Sequence, residues 1–312
     1  MSPAKETWVE IAVTTPPQLS EALANFLEEL ETHGVFQEEA LQSESFNGLA
    51  DRPNQAEVIK AYLPRDDEAA KKLAELDRYL ASLEELFPEY PKPSYVITEI
   101  VDPDWAERWK KYFKPLRISR NIVIKPTWER YSAEGGDIVI DIDPGMAFGT
   151  GQHASTRLCV NALEDIIVKN RPAGGWNVLD VGTGTGILAM CCVRLGADRV
   201  TAIDLDQQAV EIATTNVAIN DLQDRIDILN RDVAMMEGAF NLIVANLTAP
   251  TFINIHEKLI SLLAPGGYLT ASGITDMYVN QIEKIFASDD VAIETRLAEK
   301  EWVCITFKKR DD

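Results

Sequence analysis

Cysteine and histidine are scarce in this chain, four of one and three of the other among 312 residues. Cys191 and Cys192 are adjacent, while Cys159 and Cys304 stand alone, so neither the spacing of a metal site nor that of a redox pair is present. The cysteines read as small buried hydrophobes in a reducing compartment, and no bound metal is expected. No apolar run approaches the ~18–20 residues of a membrane span, which excludes a helical membrane protein. The opening Met1-Ser2-Pro3-Ala4-Lys5-Glu6 lacks the apolar centre of a signal peptide, which predicts a cytoplasmic protein. Positive charge is also in short supply, with a formal net charge of −20. Residues 1–100 carry 20 acidic against 8 basic side chains, whereas 101–130 carry 4 against 8. An acidic surface repels phosphate backbones, so direct nucleic-acid binding is not expected and a basic protein partner is favoured. Solubility alone would account for the same charge.

The chain is long enough for two domains. In the first, Thr7–Val13 alternates in polarity and reads as a strand, and Pro16-Pro17 opens a helix from Gln18 to about His33, ended by Gly34. Val35-Phe36 and Glu57–Leu63 are further strands, Asp66 to Phe87 is an amphipathic helix, and Tyr95–Ile100 closes the set. This order predicts a small ferredoxin-like α+β domain over residues 1–100. Residues 101–116 read as a linker helix, aromatic and basic, bounded by Pro103 and Pro115. Ile118 to Asp141 is strand-rich. From Trp176 onward strand-like runs (Val178–Val181, Val200–Ile203, Ile226–Leu229, Leu242–Ala245, Tyr268–Ser272, Trp302–Phe307) alternate with helical patterns. That alternation predicts an α/β, Rossmann-like domain over 117–312, a mostly parallel sheet covered on both faces.

The first of these strands runs into Gly182-Thr183-Gly184-Thr185-Gly186 and then a helix from Ile187 through Leu195. Gly182, Gly184 and Gly186 let a ligand approach backbone amides at a helix N-terminus. The next strand ends at Asp204, about 20 residues after the turn, where a carboxylate can accept from two ribose hydroxyls. Nicotinamide dinucleotides and S-adenosyl-L-methionine both carry such a ribose. Asp180, two residues before the turn, would attract the ammonium group of an amino-acid moiety but repel a pyrophosphate, and Ile187 stands where a dinucleotide fingerprint has glycine. Asn246 ends the fourth strand and faces the ligand crevice. Its amide, with neighbouring carbonyls, can align an amine nucleophile, or it can simply cap the helix that follows. Upstream, Asp143 to Thr156 is a glycine-rich loop carrying Phe148, with Ser155 or Thr156 as the cap of a helix from about Arg157. Such a loop can serve as a lid.

With Ala147-Phe148-Gly149-Thr150-Gly151-Gln152-His153 in view, the sequence closely resembles one bacterial family, the methyltransferase of ribosomal protein L-eleven, the eleventh protein of the large subunit. The resemblance covers Trp105–Pro115, Ile122–Trp128, Pro144–Thr156, Val178–Leu188, Asn241–Leu247 and Gly266–Gly273 in order. It implies a seven-stranded catalytic domain, S-adenosyl-L-methionine as cofactor, and transfer of methyl groups to lysine ε-amines and the N-terminal α-amine of L-eleven. Cofactor contacts would fall on Thr156, Gly182, Asp204 and Asn246, with Phe148 over the cofactor. Ser155 and the run Leu247-Thr248-Ala249 depart from the family's usual residues. The first domain then becomes the substrate-recognition domain, and a monomer is expected. A lysine methyltransferase for another protein, a nicotinamide dehydrogenase and a non-catalytic ribosome-assembly factor are the alternatives.

Overall fold

A computed structural model describes residues 8–30, 32–38, 57–65, 68–100, 114–143, 151, 153–172, 174–288 and 290–311. The predicted linker helix falls almost wholly on 101–113, and Phe148 within 144–150; both lie outside the described residues. The chain divides into two compact units, Met1–Tyr112 and Phe113–Asp312.

The first unit contains β1 (Trp8–Thr15), α1 (Pro17–Glu29), β2 (His33–Glu38), β3 (Glu57–Pro64), α2 (Ala69–Leu86) and β4 (Ser94–Ile100). Its strands pair antiparallel in the order β2-β3-β1-β4, the ferredoxin-like arrangement that the element order predicts. Alternation along β1 buries Val9, Ile11 and Val13, and Leu23 and Leu27 of α1 with Leu76, Leu80 and Leu83 of α2 complete that core. The rings of Phe26 and Tyr79 stack between the helices at 3.8 Å. Helix α1 is shorter than its composition suggests. Thr32 closes it by giving both its amide and its hydroxyl to the Leu27 carbonyl, so Gly34 belongs to β2 rather than ending the helix.

The second unit begins with a small sheet of β5 (Leu116–Arg117), β6 (Ile122–Lys125) and β7 (Ile138–Asp141). The main sheet has seven strands: β8 (Asn177–Val181), β9 (Arg199–Asp204), β10 (Ile226–Asn230), β11 (Phe240–Asn246), β12 (Leu263–Thr275), β13 (Val291–Glu299) and β14 (Trp302–Lys309). Their order is β10-β9-β8-β11-β12-β14-β13, parallel except for the two pairings that involve β14. Helices α3 (Ala154–Lys169), α4 (Ile187–Leu195), α5 (Gln207–Ile219), α6 (Ala249–Leu262) and α7 (Val279–Phe286) cover it. Because successive side chains point to opposite faces, Val178, Leu242 and Val244 enter one core with α3 and α4 residues. Leu179, Ile243 and Ala245 enter the other, beside Phe252, Phe286 and Phe307.

Strand order reverses between β8 and β11, and ligand crevices in open α/β sheets form outside the carboxyl ends of strands at such a point. Chain topology alone therefore brings the ends of β8, β9 and β11 to one place.

Candidate functional site

At the end of β8 the three glycines of the turn adopt φ of 72°, 55° and 81° at Gly182, Gly184 and Gly186, the left-handed region that other residues enter at a cost. The turn is pinned to the neighbouring strand, since the amides of Gly182 and Thr183 both donate to the Ile203 carbonyl, at 2.9 and 3.0 Å. A Cβ on Gly182 would lie 2.5 Å from Leu247 Cδ2. The glycine thus also admits the residue that follows Asn246, and the two strand ends meet here.

Asp204, at the end of β9, accepts from the Gly184 amide through Oδ2 at 2.9 Å and from the Asp206 amide through Oδ1 at 3.1 Å. A carboxylate oxygen can accept more than one hydrogen bond, so each retains a lone pair for a ligand hydroxyl. The Asp204 carboxylate is only partly buried. Asp206 caps α5 through the Gln208 amide, and Asn230 braces the Asp204 and Leu205 carbonyls.

Asp180 is fully buried. Its Oδ2 accepts from Thr183 Oγ1 at 2.7 Å and from the Ala189 amide at 3.1 Å, tying the turn to the first turn of α4. Its Oδ1 meets no hydrogen-bond partner among the described residues. Burial, helped by the charge of Asp204 and opposed by the two hydrogen bonds, pushes the carboxyl up to about 7. An enclosed carboxyl acts on a ligand through the turn it holds and through its field, rather than by surface contact.

Asn246 is half-buried at the end of β11, and its Nδ2 donates to Thr156 Oγ1 at 3.3 Å. Thr156 belongs to the first turn of α3 and is almost fully buried. The cap of α3 is His153, whose Nδ1 accepts from the Ser155 amide, so the helix starts at Ala154 and neither Ser155 nor Thr156 caps it. That correction has a use: Thr156 keeps its hydroxyl for Asn246, and the Ser155 carbonyl accepts from Ser272 Oγ at 2.8 Å. The cap position of α6 is Thr248, which excludes the plain capping role for Asn246. Gly273 is equally constrained, because a Cβ there would lie 2.5 Å from the Leu247 carbonyl and 2.9 Å from Asn246 Oδ1.

The structure therefore brings Asp180, Gly182, Gly184, Gly186 and Asp204 together at the turn, and Thr156 and Asn246 together one strand away. Sequence reading missed Gly273 and two buried asparagines, Asn216 of α5 and Asn220 at its C-terminal cap. Their signal was legible: two amide side chains four residues apart in a run otherwise made of Val217-Ala218-Ile219. All four cysteines are buried, and burial raises the pKa of the Cys191 and Cys192 thiols. Among the described residues no cluster of acidic, cysteine and histidine side chains could hold a metal, and no helix is long and apolar enough to cross a membrane.

Comparison with known proteins is consistent along the chain. The family model for ribosomal protein L11 methyltransferase (PrmA) matches residues 7–310. A ribosomal protein L11 methyltransferase from Geobacter sp. (strain M21) is 38% identical over 307 residues, covering 97% of this chain and 98% of that protein. One from Pelotomaculum thermopropionicum is 38% identical over 315 residues, covering 96% and 98%. The crystal structure of a ribosomal protein L11 methylase from Lactobacillus delbrueckii subsp. bulgaricus superposes with a TM-score of 0.57 at 30% identity, over 64% of this chain and 100% of the other.

Proposed function

This chain belongs to the ribosomal protein L11 methyltransferase family, and from that membership and the site's geometry we infer that it moves methyl groups from S-adenosyl-L-methionine to amines of ribosomal protein L11. The residues at the switch point fit that cofactor. Asp204 has acceptor capacity for two ribose hydroxyls, and glycines at 182, 184 and 186 put no side chain between a ligand and the backbone of the turn. Ionised above about pH 7, the carboxyl of Asp180 lends the turn a negative field suited to the ammonium of an amino-acid moiety. Thr156 contributes through Asn246, and Phe148 is assigned to the cofactor by its place in the family motif.

When bound, the cofactor supplies an activated methyl group on a sulfonium. What remains for the protein is alignment and exclusion of water. With Nδ2 committed to Thr156, the Asn246 amide has a fixed orientation, and no donor among the described residues reaches its Oδ1. That oxygen is assigned to an N–H of the incoming amine, aiming the nitrogen lone pair. A lysine amine has a pKa near ~10.4 and must lose a proton before attack. Desolvation of the amine in the crevice favours the neutral form, with the proton passing to water. No side chain of the site is assigned as a base.

Lysine ε-amines and the N-terminal α-amine are the assigned targets. The first unit is assigned to docking: L11 is a protein that sits on RNA, such proteins are generally basic, and residues 1–100 are strongly acidic. The same charge disfavours nucleic acid as a direct ligand, and the protein is assigned as a cytoplasmic monomer. The observation that carries the reading is the meeting of the β8, β9 and β11 ends, which sets the Asp204 carboxylate and the Asn246 amide around one glycine turn. It is tested by adding labelled S-adenosyl-L-methionine and the purified protein to a lysate lacking the enzyme. Label on L11 supports the assignment, and label on another protein alone rejects the substrate while keeping the reaction.

A further inference from the structure

Asn216 in α5 and Asn220, the residue that caps the helix at its C-terminus, lie four positions apart, and only 1% and 5% of their surfaces are exposed. A buried amide needs partners for its N–H groups and its oxygen, and both side chains find most of theirs on backbone; Asn220 Nδ2 also reaches the Asn216 carbonyl at 2.8 Å and Met190 Sδ at 3.3 Å. Asn220 takes both groups of Asp141: its Oδ1 accepts the Asp141 amide at 2.9 Å, and its Nδ2 donates to the Asp141 carbonyl at 2.6 Å. Asn216 Oδ1 accepts from the Asp143 amide at 3.1 Å. The amides of Ile138 and Ile142 point the other way, to the Asn121 and Lys125 carbonyls on the β6 side. Two side chains of a helix therefore stand along the β7 edge where the backbone of another strand would stand.

One of the two reaches further. Asn216 Nδ2 donates to the Thr185 carbonyl at 3.0 Å. Thr185 is fully buried inside the glycine turn, and its carbonyl shares a peptide plane with the Gly186 amide, which donates to the Thr183 carbonyl at 2.9 Å. That peptide is thus held at both ends, and Asn216 ties the turn to Asp143, two residues past the end of β7. The partners fix which way round the amide sits, since a carbonyl can only accept and an N–H can only donate.

We propose that Asn216 is a positioning residue for cofactor binding: it sets the Thr185–Gly186 peptide, and with it the turn, whereas Asn220 bonds the Asp141 backbone, the Asn216 carbonyl and Met190 Sδ rather than that peptide. The proposal rests on the reading of the turn as the S-adenosyl-L-methionine cradle. Asn216→Asp separates the two duties of this side chain. It keeps an acceptor for the Asp143 amide and places a carboxylate oxygen against the Thr185 carbonyl, where a donor is needed.

The test uses the full chain and titrates S-adenosyl-L-methionine into wild type, Asn216→Asp, Asn216→Ala and Asn220→Ala by calorimetry, with a melting temperature for each. Both Asn216 variants should bind about tenfold more weakly, the effect of one lost buried hydrogen bond. The KM for cofactor should rise with the Kd while turnover at saturating cofactor falls less than affinity does. Asn220→Ala should lose melting temperature yet bind within about twofold of wild type. Wild-type affinity in either folded Asn216 variant overturns the proposal, and so does an equal loss in Asn220→Ala, because affinity would then follow the integrity of the β7 edge. If the wild type itself binds no S-adenosyl-L-methionine, the functional reading fails and takes this inference with it.

Discussion

Asn246 and Thr156 stand 90 positions apart in the chain, and Nδ2 of the first donates to Oγ1 of the second at 3.3 Å. This contact joins the end of the central strand β11 to the first turn of α3 and decides which end of the amide is left for a substrate. Asn246→Ala should therefore reduce turnover by on the order of a hundredfold while changing cofactor affinity little, since alignment matters most in the transition state. Thr156→Val should cost less, leaving the amide in place but free to turn. Steady-state kinetics paired with calorimetry separate the two effects, and equal losses of turnover and affinity would recast Asn246 as a cofactor contact.

Asp204→Ala should weaken S-adenosyl-L-methionine binding by about 2–4 kcal/mol, the worth of two hydrogen bonds to a charged group. The side chain also holds the Gly184 and Asp206 amides, so part of that loss would be disorder of the turn. Asp204→Asn retains one acceptor oxygen and should lie between the two. Calorimetry giving wild-type affinity for Asp204→Ala removes the residue from the site.

Asp180 gives a pH dependence whose direction is fixed. Its folded pKa of about 7 lies above the ~3.9 of an unfolded aspartate, so the folded protein keeps a proton that the unfolded chain releases. The stabilisation is complete below about pH 4 and is lost as pH rises through about 7. Asp180→Asn cannot ionise. Chemical unfolding at about pH 5 and about pH 8 should shift the stability difference towards the asparagine variant by on the order of a few kcal/mol. A constant difference across that range would mean that Asp180 is charged throughout.

How much of this was legible beforehand varied with what each segment buries. Helix α4 runs Ile187–Leu195 as read, and six strands of the main sheet fell near their predicted positions: five are parallel strands rich in apolar residues, and the antiparallel β14 is buried along most of its length. The seventh, Val291–Glu299, was not located: it is an edge strand, most of its residues are partly or fully exposed, and it carries Glu294, Thr295 and Arg296 in sequence. The site residues on strand ends were legible for a related reason, since topology puts polar side chains there into the crevice. Contacts of buried side chains with distant backbone were not. Nothing local in the sequence marks Asn216 as the partner of Thr185, or Gly273 as the residue lying against Asn246.

Gly273 gives the sharpest steric prediction. Its φ is 81°, and an alanine methyl would press on the Leu247 carbonyl and Asn246 Oδ1, atoms without freedom to retreat. Gly273→Ala should cost roughly 1–2 kcal/mol in backbone conformation alone. It should also lower turnover by about tenfold or more as Asn246 is displaced. Thermal unfolding and turnover checked together would refute the contact if both were unchanged.

The central claim is methyl transfer to L11 through this site, and intact-protein mass spectrometry measures it directly. Purified L11 is incubated with S-adenosyl-L-methionine and the full chain at low and high salt, in parallel with Asn246→Ala. The account predicts L11 gaining mass in whole methyl steps that map to its amines, at a rate that falls with salt as docking to the acidic first unit is screened, and that nearly disappears in the variant. L11 of unchanged mass, from a wild-type protein that binds S-adenosyl-L-methionine, would contradict it.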